Sequence, residues 1–347
     1  MNAPQPNRRE FIQAGAAGVA AMTIASAVAD AQSPGARANA GGIPTRPLGK
    51  TGEMVSVLGL GGHSSTNPKK FSEKDSLKFI QRAVDEGVTF MDNCWDYHDG
   101  VAEERMGKAL AEGGRRDKVF LMTKVCGRTA TEATSNLEDS LKRLKTDRLD
   151  LWQFHEMVYD NDPDLVFAED GAIHAGMKAL KDGKVRFLGF TGHKDPIIHL
   201  KMLSMPFDWA TVQMPLNVMD VHYRSFQKQV LPGLLQRNIG VLAMKSLGGE
   251  GDIVRKAGVA IEDALRYVLS LPVSTLISGM DSEKVLDQNL KIVREFKPLT
   301  PDQKAQIEQS TIKVAGDGRY ELFKSSKKFD GPVHRKQHGF ATEIEHV

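Results

Sequence analysis

From Val57 to Phe296 the chain repeats one pattern: a short apolar run, a polar break, then an amphipathic stretch. Eight apolar runs occur, at Val57–Gly61, Thr89–Asn93, Val119–Val125, Leu149–His155, Val185–Thr191, Trp209–Pro215, Gly240–Lys245 and Ser274–Gly279. They are uniformly apolar rather than alternating, which is the signature of parallel strands covered on both faces. Between and after them lie helical patterns at Ser72–Glu86, Glu103–Glu112, Thr134–Leu144, Ile173–Lys181, Pro196–Leu203, Phe226–Gln236, Ile261–Leu269 and Ser282–Phe296. Eight strands alternating with eight helices predict an α/β fold of the (β/α)8 TIM barrel type. The rival, a doubly wound sheet, needs Gly-x-Gly-x-x-Gly after the first strand, and residues 59–64 read Gly-Leu-Gly-Gly-His-Ser instead. Arg46–Leu48 and Val55–Val57 flank the turn Gly49-Lys50-Thr51-Gly52, a hairpin expected to plug the bottom of the barrel.

A barrel of this kind presents its chemistry at the carboxyl ends of its strands. Those positions carry Asp92, Lys124 and His155 on three consecutive units, with Tyr97 five residues beyond Asp92. A phenol is a weak acid, with a reference pKa of about 10. A neighbouring ammonium stabilises the phenolate and is expected to lower that value. Asp92 holds Lys124 charged, His155 orients a substrate oxygen, and Tyr97 moves the proton. Taken singly, each residue is an ordinary strand-end polar group; their convergence is the signal.

The stretch Phe90-Met91-Asp92-Asn93-Cys94-Trp95-Asp96-Tyr97 with Gly100–Leu110, the strand Met122-Thr123-Lys124-Val125, and Leu149-Asp150-Leu151-Trp152-Gln153-Phe154-His155 resemble the aldo-keto reductase superfamily over roughly residues 46–296. The resemblance implies hydride transfer between a nicotinamide cofactor and an aldehyde, ketone or corresponding alcohol, with Asp92, Tyr97, Lys124 and His155 as catalytic residues. It implies that Gly192, His193, Gln213, Asn217, Met244 and Lys245 line the nicotinamide end. Gly279, Lys284, Gln288 and Asn289 fall where the family binds adenosine. Gly192-His193 replaces the family's Ser-Asn-like pair, and Met244 stands where many members stack an aromatic ring. NADP is the implied cofactor; NAD stays open, because Gly279 and Val285 occupy positions usually basic in NADP-preferring members. His63 and Trp95 are expected to shape the substrate pocket. The same barrel also serves as a nucleotide-sensing regulatory or binding subunit, which is the alternative function.

Arg8-Arg9, a weakly apolar Ala/Gly-rich stretch and an Ala-x-Ala ending read as a twin-arginine signal peptide over residues 1–31. This predicts passage through the Tat export machinery to the periplasm. Residues 32–45 read as a flexible linker, 46–312 as the barrel and 313–347 as a C-terminal tail.

The 46 basic and 44 acidic residues nearly cancel, so no nucleic-acid footprint is present. Past the N-terminus no apolar run is long enough to span a bilayer. The two cysteines, Cys94 and Cys126, are too few for a disulfide scaffold and argue against cysteine-ligated zinc or an iron–sulfur cluster. No metal site is expected. Each lies two residues beyond a strand-end residue, so a bridge between them is the one pairing available after export.

Overall fold

The computed structural model describes residues 38–342. The expected signal peptide lies outside them. Eight parallel strands form a closed barrel: β3 (Leu58–Gly61), β4 (Phe90–Asp92), β5 (Phe120–Val125), β6 (Leu149–Phe154), β7 (Val185–Thr191), β8 (Thr211–Pro215), β9 (Gly240–Met244) and β10 (Thr275–Ser278). Closure comes from β10, which pairs with β3 through Leu276 and Leu58 and with β9 through Thr275 and Leu242. The fold is therefore the (β/α)8 barrel, and each strand falls within two residues of its expected bounds.

Inside the barrel Phe90, Phe120, Met122, Leu151, Leu242 and Ile277 form a separate apolar cluster. Leu48 and Val55 join it from the antiparallel pair β1 (Thr45–Pro47) and β2 (Met54–Ser56), so the hairpin seals the lower end. Filling the lower barrel with side chains leaves only the carboxyl-end mouth for chemistry. A larger cluster, including Phe79, Trp152, Trp209 and Tyr267, lies between strands and outer helices. The Gly49-Lys50-Thr51 turn, at the sealed end, presses Gly49 against the Asn238–Gly240 backbone.

The helices depart from the sequence pattern where local chemistry overrides periodicity. Thr129 and Glu132 close a capping box, so the third helix starts at Ala130 rather than Thr134 (Ala130–Arg143). The expected Phe226–Gln236 helix is split into Phe226–Gln229 and Leu231–Gln236, with Pro232 in the first turn of the second piece. No helix among the described residues is long and apolar enough to cross a membrane.

Two expected boundaries are corrected. Residues 38–45 are not a free linker: Ala38 bridges Pro44, and Ile43 is completely buried. The Asn39 amide donates to Gly87 O at 2.6 Å while its carbonyl accepts from the Gly41 and Ile43 amides. An Ala/Gly-rich composition hid one apolar anchor and one turn-forming Asn. At the other end the helix Pro301–Ala315 runs through the expected boundary at residue 312, and the segment after it crosses the barrel mouth. That segment buries Glu321, Phe323, Lys324, Asp330 and His334, so this part of the tail is docked rather than solvated.

Candidate active site

Asp92 ends β4, Lys124 sits on β5, and His155 follows β6. Tyr97 opens a tight 3-10 turn, Tyr97–Gly100, in which His98 and Asp99 take left-handed backbone angles. That turn folds the phenol back over the strand ends. Lys124 Nζ donates to Asp92 Oδ1 at 2.8 Å, to Asn93 O at 2.7 Å and to Tyr97 Oη at 3.2 Å. Gln213, on β8, donates its Nε2 to Asp92 Oδ2 at 2.9 Å. The ammonium is therefore saturated by three oxygens and its counter-ion is held from two sides. The His155 ring meets the Tyr97 ring edge-on, with centroids 5.9 Å apart.

Burial governs the electrostatics. It pushes the Tyr97 hydroxyl well above its ordinary value, and the Asp92 carboxylate adds to the effect. The lowering expected from Lys124 is outweighed: burial and the neighbouring carboxylates act in the opposite direction and dominate. Burial likewise holds His155 well below the usual imidazole range, helped by repulsion from His334, Lys124 and Arg128, so it is neutral. Burial lowers Lys245 to about 8 and, with Asp96 nearby, raises Glu156 to about 8.

The other expected residues divide. His63 lies on the rim, 5.2 Å from the Tyr97 ring between centroids. Gly192 makes a tight passage, where a Cβ would lie 2.3 Å from Met157 O. Met244 ends β9 half-buried. Gly279 follows β10 beside Ser64, and Lys284 and Gln288 lie exposed on the helix Glu283–Arg294.

Several are committed elsewhere. Trp95 points outward, donating Nε1 to Asp139 at 3.1 Å and stacking on Arg143, both on the helix Ala130–Arg143. It is not a wall of the mouth. Asn289 donates to Ser278 Oγ at 2.7 Å, tying its helix to β10. Asn217 Oδ1 accepts from the Met219 and Asp220 amides, and its Nδ2 donates to Glu321. The C-terminal segment also engages His193, whose Nε2 is 3.3 Å from Asp330 Oδ1, and Lys245, whose ammonium is 4.3 Å from the Phe329 ring centre. Gly331 N donates to Glu156 at 2.8 Å.

Whether these residues suit a nicotinamide dinucleotide is tested by polar atoms without partners. Gln213 Oε1 and Ser246 Oγ are both buried and unbonded. The first is an acceptor beside the Asp92–Lys124 pair. The second opens a turn in which Gly248, Gly249 and Gly251 have positive φ, the glycine-rich backbone conformation that anion-binding loops use, with the Gly248 amide closing the turn on Lys245 O at 2.9 Å. The set fits. Ser246 escaped the sequence reading, although Ser-Leu-Gly-Gly directly after a strand was a legible sign. Cys94, Asp96, Cys126 and His334 were also missed as a group; they converge on His155.

Residues 57–258 match the model of the aldo/keto reductase family. Aldo-keto reductase YhdN of Bacillus subtilis is 33% identical over 213 residues, covering 58% of this chain and 61% of that protein. L-galactose dehydrogenase of Arabidopsis thaliana is 27% identical over 314 residues, covering 78% of this chain and 94% of that enzyme. The chain thus spans less than two thirds of the Bacillus relative's length. Among solved structures, the holo form of aldo-keto reductase AKR11C1 from Bacillus halodurans superposes with a TM-score of 0.64 at 23% identity, covering 77% of this chain and 96% of that one. A Klebsiella pneumoniae aldo/keto reductase in complex with NADP and acetate gives a TM-score of 0.61 at 23% identity, covering 76% and 94%. At these identities the structures speak for the fold.

Proposed function

The chain belongs to the aldo/keto reductase family, and from that premise we propose that it is an oxidoreductase reducing a small aldehyde or ketone, with Tyr97 as the general acid. One observation carries the reading: a buried ammonium bonded at once to a carboxylate and to a phenol at the mouth of a barrel. A nicotinamide cofactor, when bound, supplies the hydride to the carbonyl carbon. Gln213 Oε1 would accept from its carboxamide and the Ser246–Gly251 turn would meet its phosphates.

The remaining steps belong to this chain's side chains. Tyr97, kept protonated by burial, gives its Oη proton to the alkoxide oxygen as the C–O bond becomes single. Lys124 Nζ, 3.2 Å away, stabilises the phenolate left behind. Asp92 keeps the ammonium in place, and Gln213 keeps Asp92 in place. Because Asp330, Phe329 and Glu321 already engage His193, Lys245 and Asn217, binding at the nicotinamide end requires the C-terminal segment to shift.

NADP is the proposed cofactor, supported by the Klebsiella relative's complex, with NAD as the competitor to be compared directly. Oxidation of NADPH and NADH with a panel of small aldehydes tests the proposal. Tyr97→Phe should lower turnover by about 10²–10⁴-fold while leaving cofactor affinity intact. Absence of turnover with every carbonyl and both cofactors, or an unaffected Tyr97→Phe enzyme, refutes it. Arg8-Arg9 and the apolar stretch after it support export to the periplasm through the twin-arginine route. Replacing both arginines by lysine should then leave the chain in the cytoplasmic fraction; unchanged fractionation argues against it.

A further inference from the structure

We propose that Cys94, Asp96, Cys126 and His155 form a binding site for one zinc-like divalent transition-metal ion beside the Tyr97–Lys124 pair. Their ligand atoms all lie within 4.8 Å of one another. The sulfurs are 3.9 Å apart, well beyond a disulfide bond. His155 Nδ1 lies 3.2 Å from Cys94 Sγ, 3.5 Å from Cys126 Sγ and 3.8 Å from Asp96 Oδ1. A tetrahedral shell with Zn–S of about 2.3 Å and Zn–N of about 2.0 Å has edges of about 3.8 Å between sulfurs and about 3.5 Å between sulfur and nitrogen. The sulfur–sulfur and sulfur–nitrogen separations are close to those edges, and Asp96 Oδ1 would move inward to complete the shell.

Hydrogen bonding does not account for the cluster. A ring nitrogen offers one lone pair or one proton in its plane. Yet both sulfurs crowd His155 Nδ1, and His334 Nε2 adds a third neighbour at 3.4 Å. Meanwhile Asp96 Oδ1 is buried with no partner at ordinary hydrogen-bond geometry, its neighbours being the two weak thiol donors and the His155 ring, a costly state for a carboxylate. A single cation at the centre satisfies both: it takes the nitrogen lone pair and gives Asp96 a partner. Two thiolates and a carboxylate around a divalent ion carry one surplus negative charge. Lys124 and Arg128 flank the cluster; Arg128 Nη2 donates to His155 O at 2.9 Å. Cys94 and Cys126 are fully buried, which shields the thiolates from bulk oxidants.

The donors come from the loops after three consecutive strands, β4, β5 and β6. Two cysteines are therefore enough, because the barrel brings an imidazole and a carboxylate to them. Four protein ligands close the shell, which is the pattern of a structural rather than a catalytic zinc. The ion would be a positioning element. Ligation through Nδ1 leaves the His155 proton on Nε2, and ligation of Cys94 and Asp96 pins the turn that carries Tyr97. The site does not depend on the chain being a reductase.

The test uses the full-length chain, purified without chelator or histidine tag after growth with added zinc. Elemental analysis should find about one zinc per chain, falling at least roughly tenfold in the double variant Cys94→Ser/Cys126→Ser. After zinc removal, cobalt(II) added to the wild type should give thiolate charge-transfer absorption and the intense visible bands of tetrahedral coordination. If the double variant does not fold, the cobalt spectrum of the wild type decides. Metal-free wild type with no cobalt spectrum overturns the proposal, as does zinc retained by the double variant or recovery of the two cysteines as a disulfide.

Discussion

Replacing Lys124 by Met tests whether the ammonium is held by its oxygens or merely buried near them. The substitution keeps most of the aliphatic stem and removes the bonds to Asp92 Oδ1, Asn93 O and Tyr97 Oη. Asp92, 3% exposed, is then a buried carboxylate with one donor left, Gln213 Nε2. Removing one partner of a buried ion pair costs about 3–5 kcal/mol, most of it the stranded charge. For a folded barrel of about 300 residues that is a fall in Tm of roughly 5–8 °C. Adding Asp92→Asn removes the stranded charge, so Lys124→Met/Asp92→Asn should recover at least about half of the loss. Activity separates from stability here: the double variant should refold its barrel yet stay inactive, since nothing stabilises the Tyr97 phenolate. Thermal and urea denaturation of the four proteins in the cycle provide the measurement. A single variant within about 1 kcal/mol of wild type, or a double variant no more stable than the single, refutes the account.

Two further perturbations address the segments that lie outside the barrel proper. Burial alone would raise the Asp330 carboxyl, but His193 and Lys194 outweigh it and hold it at about 2. A carboxyl depressed on folding contributes stability above its unfolded pKa, near 4, and loses it as pH falls toward 2. That contribution is on the order of 2 kcal/mol. Between pH 5 and pH 2.5 the wild type should lose more stability than Asp330→Asn; parallel losses refute the link. Ile43→Ala should cost about 2–4 kcal/mol in denaturation if residues 38–45 are docked, and almost nothing if they are a free linker.

The strand and helix pattern was legible in the chain because periodicity is a local property that burial on two faces imposes. It identified eight strands and the hairpin plug; it misplaced helix ends where a capping box at Thr129 or a proline at residue 232 intervened, and it did not pick out the helices Asp162–Val166, Asp252–Ala257 and Pro301–Ala315. The convergence of Asp92, Tyr97 and Lys124 was legible for a related reason: barrel strand ends share one mouth whatever lies between them. Contacts between distant segments were not legible. Trp95 was assigned to the pocket from its neighbours in sequence, but its turn directs the indole outward to Asp139 and Arg143. Asn217 and His193 read as free binding groups because nothing local announces Glu321 and Asp330 as their partners.

The chain's own order of residues determined a sealed eight-stranded barrel with a lysine, a carboxylate and a phenol at its open end. Only the tertiary structure decided what surrounds them. It pressed the C-terminal segment onto the mouth, turned burial into the dominant influence on Tyr97, and drew two isolated cysteines together with His155 and Asp96. The physical reason is that desolvation and ligand geometry depend on which atoms fill a given volume. Residues 94, 96, 126, 155 and 334 come to share one such volume only after the chain has closed.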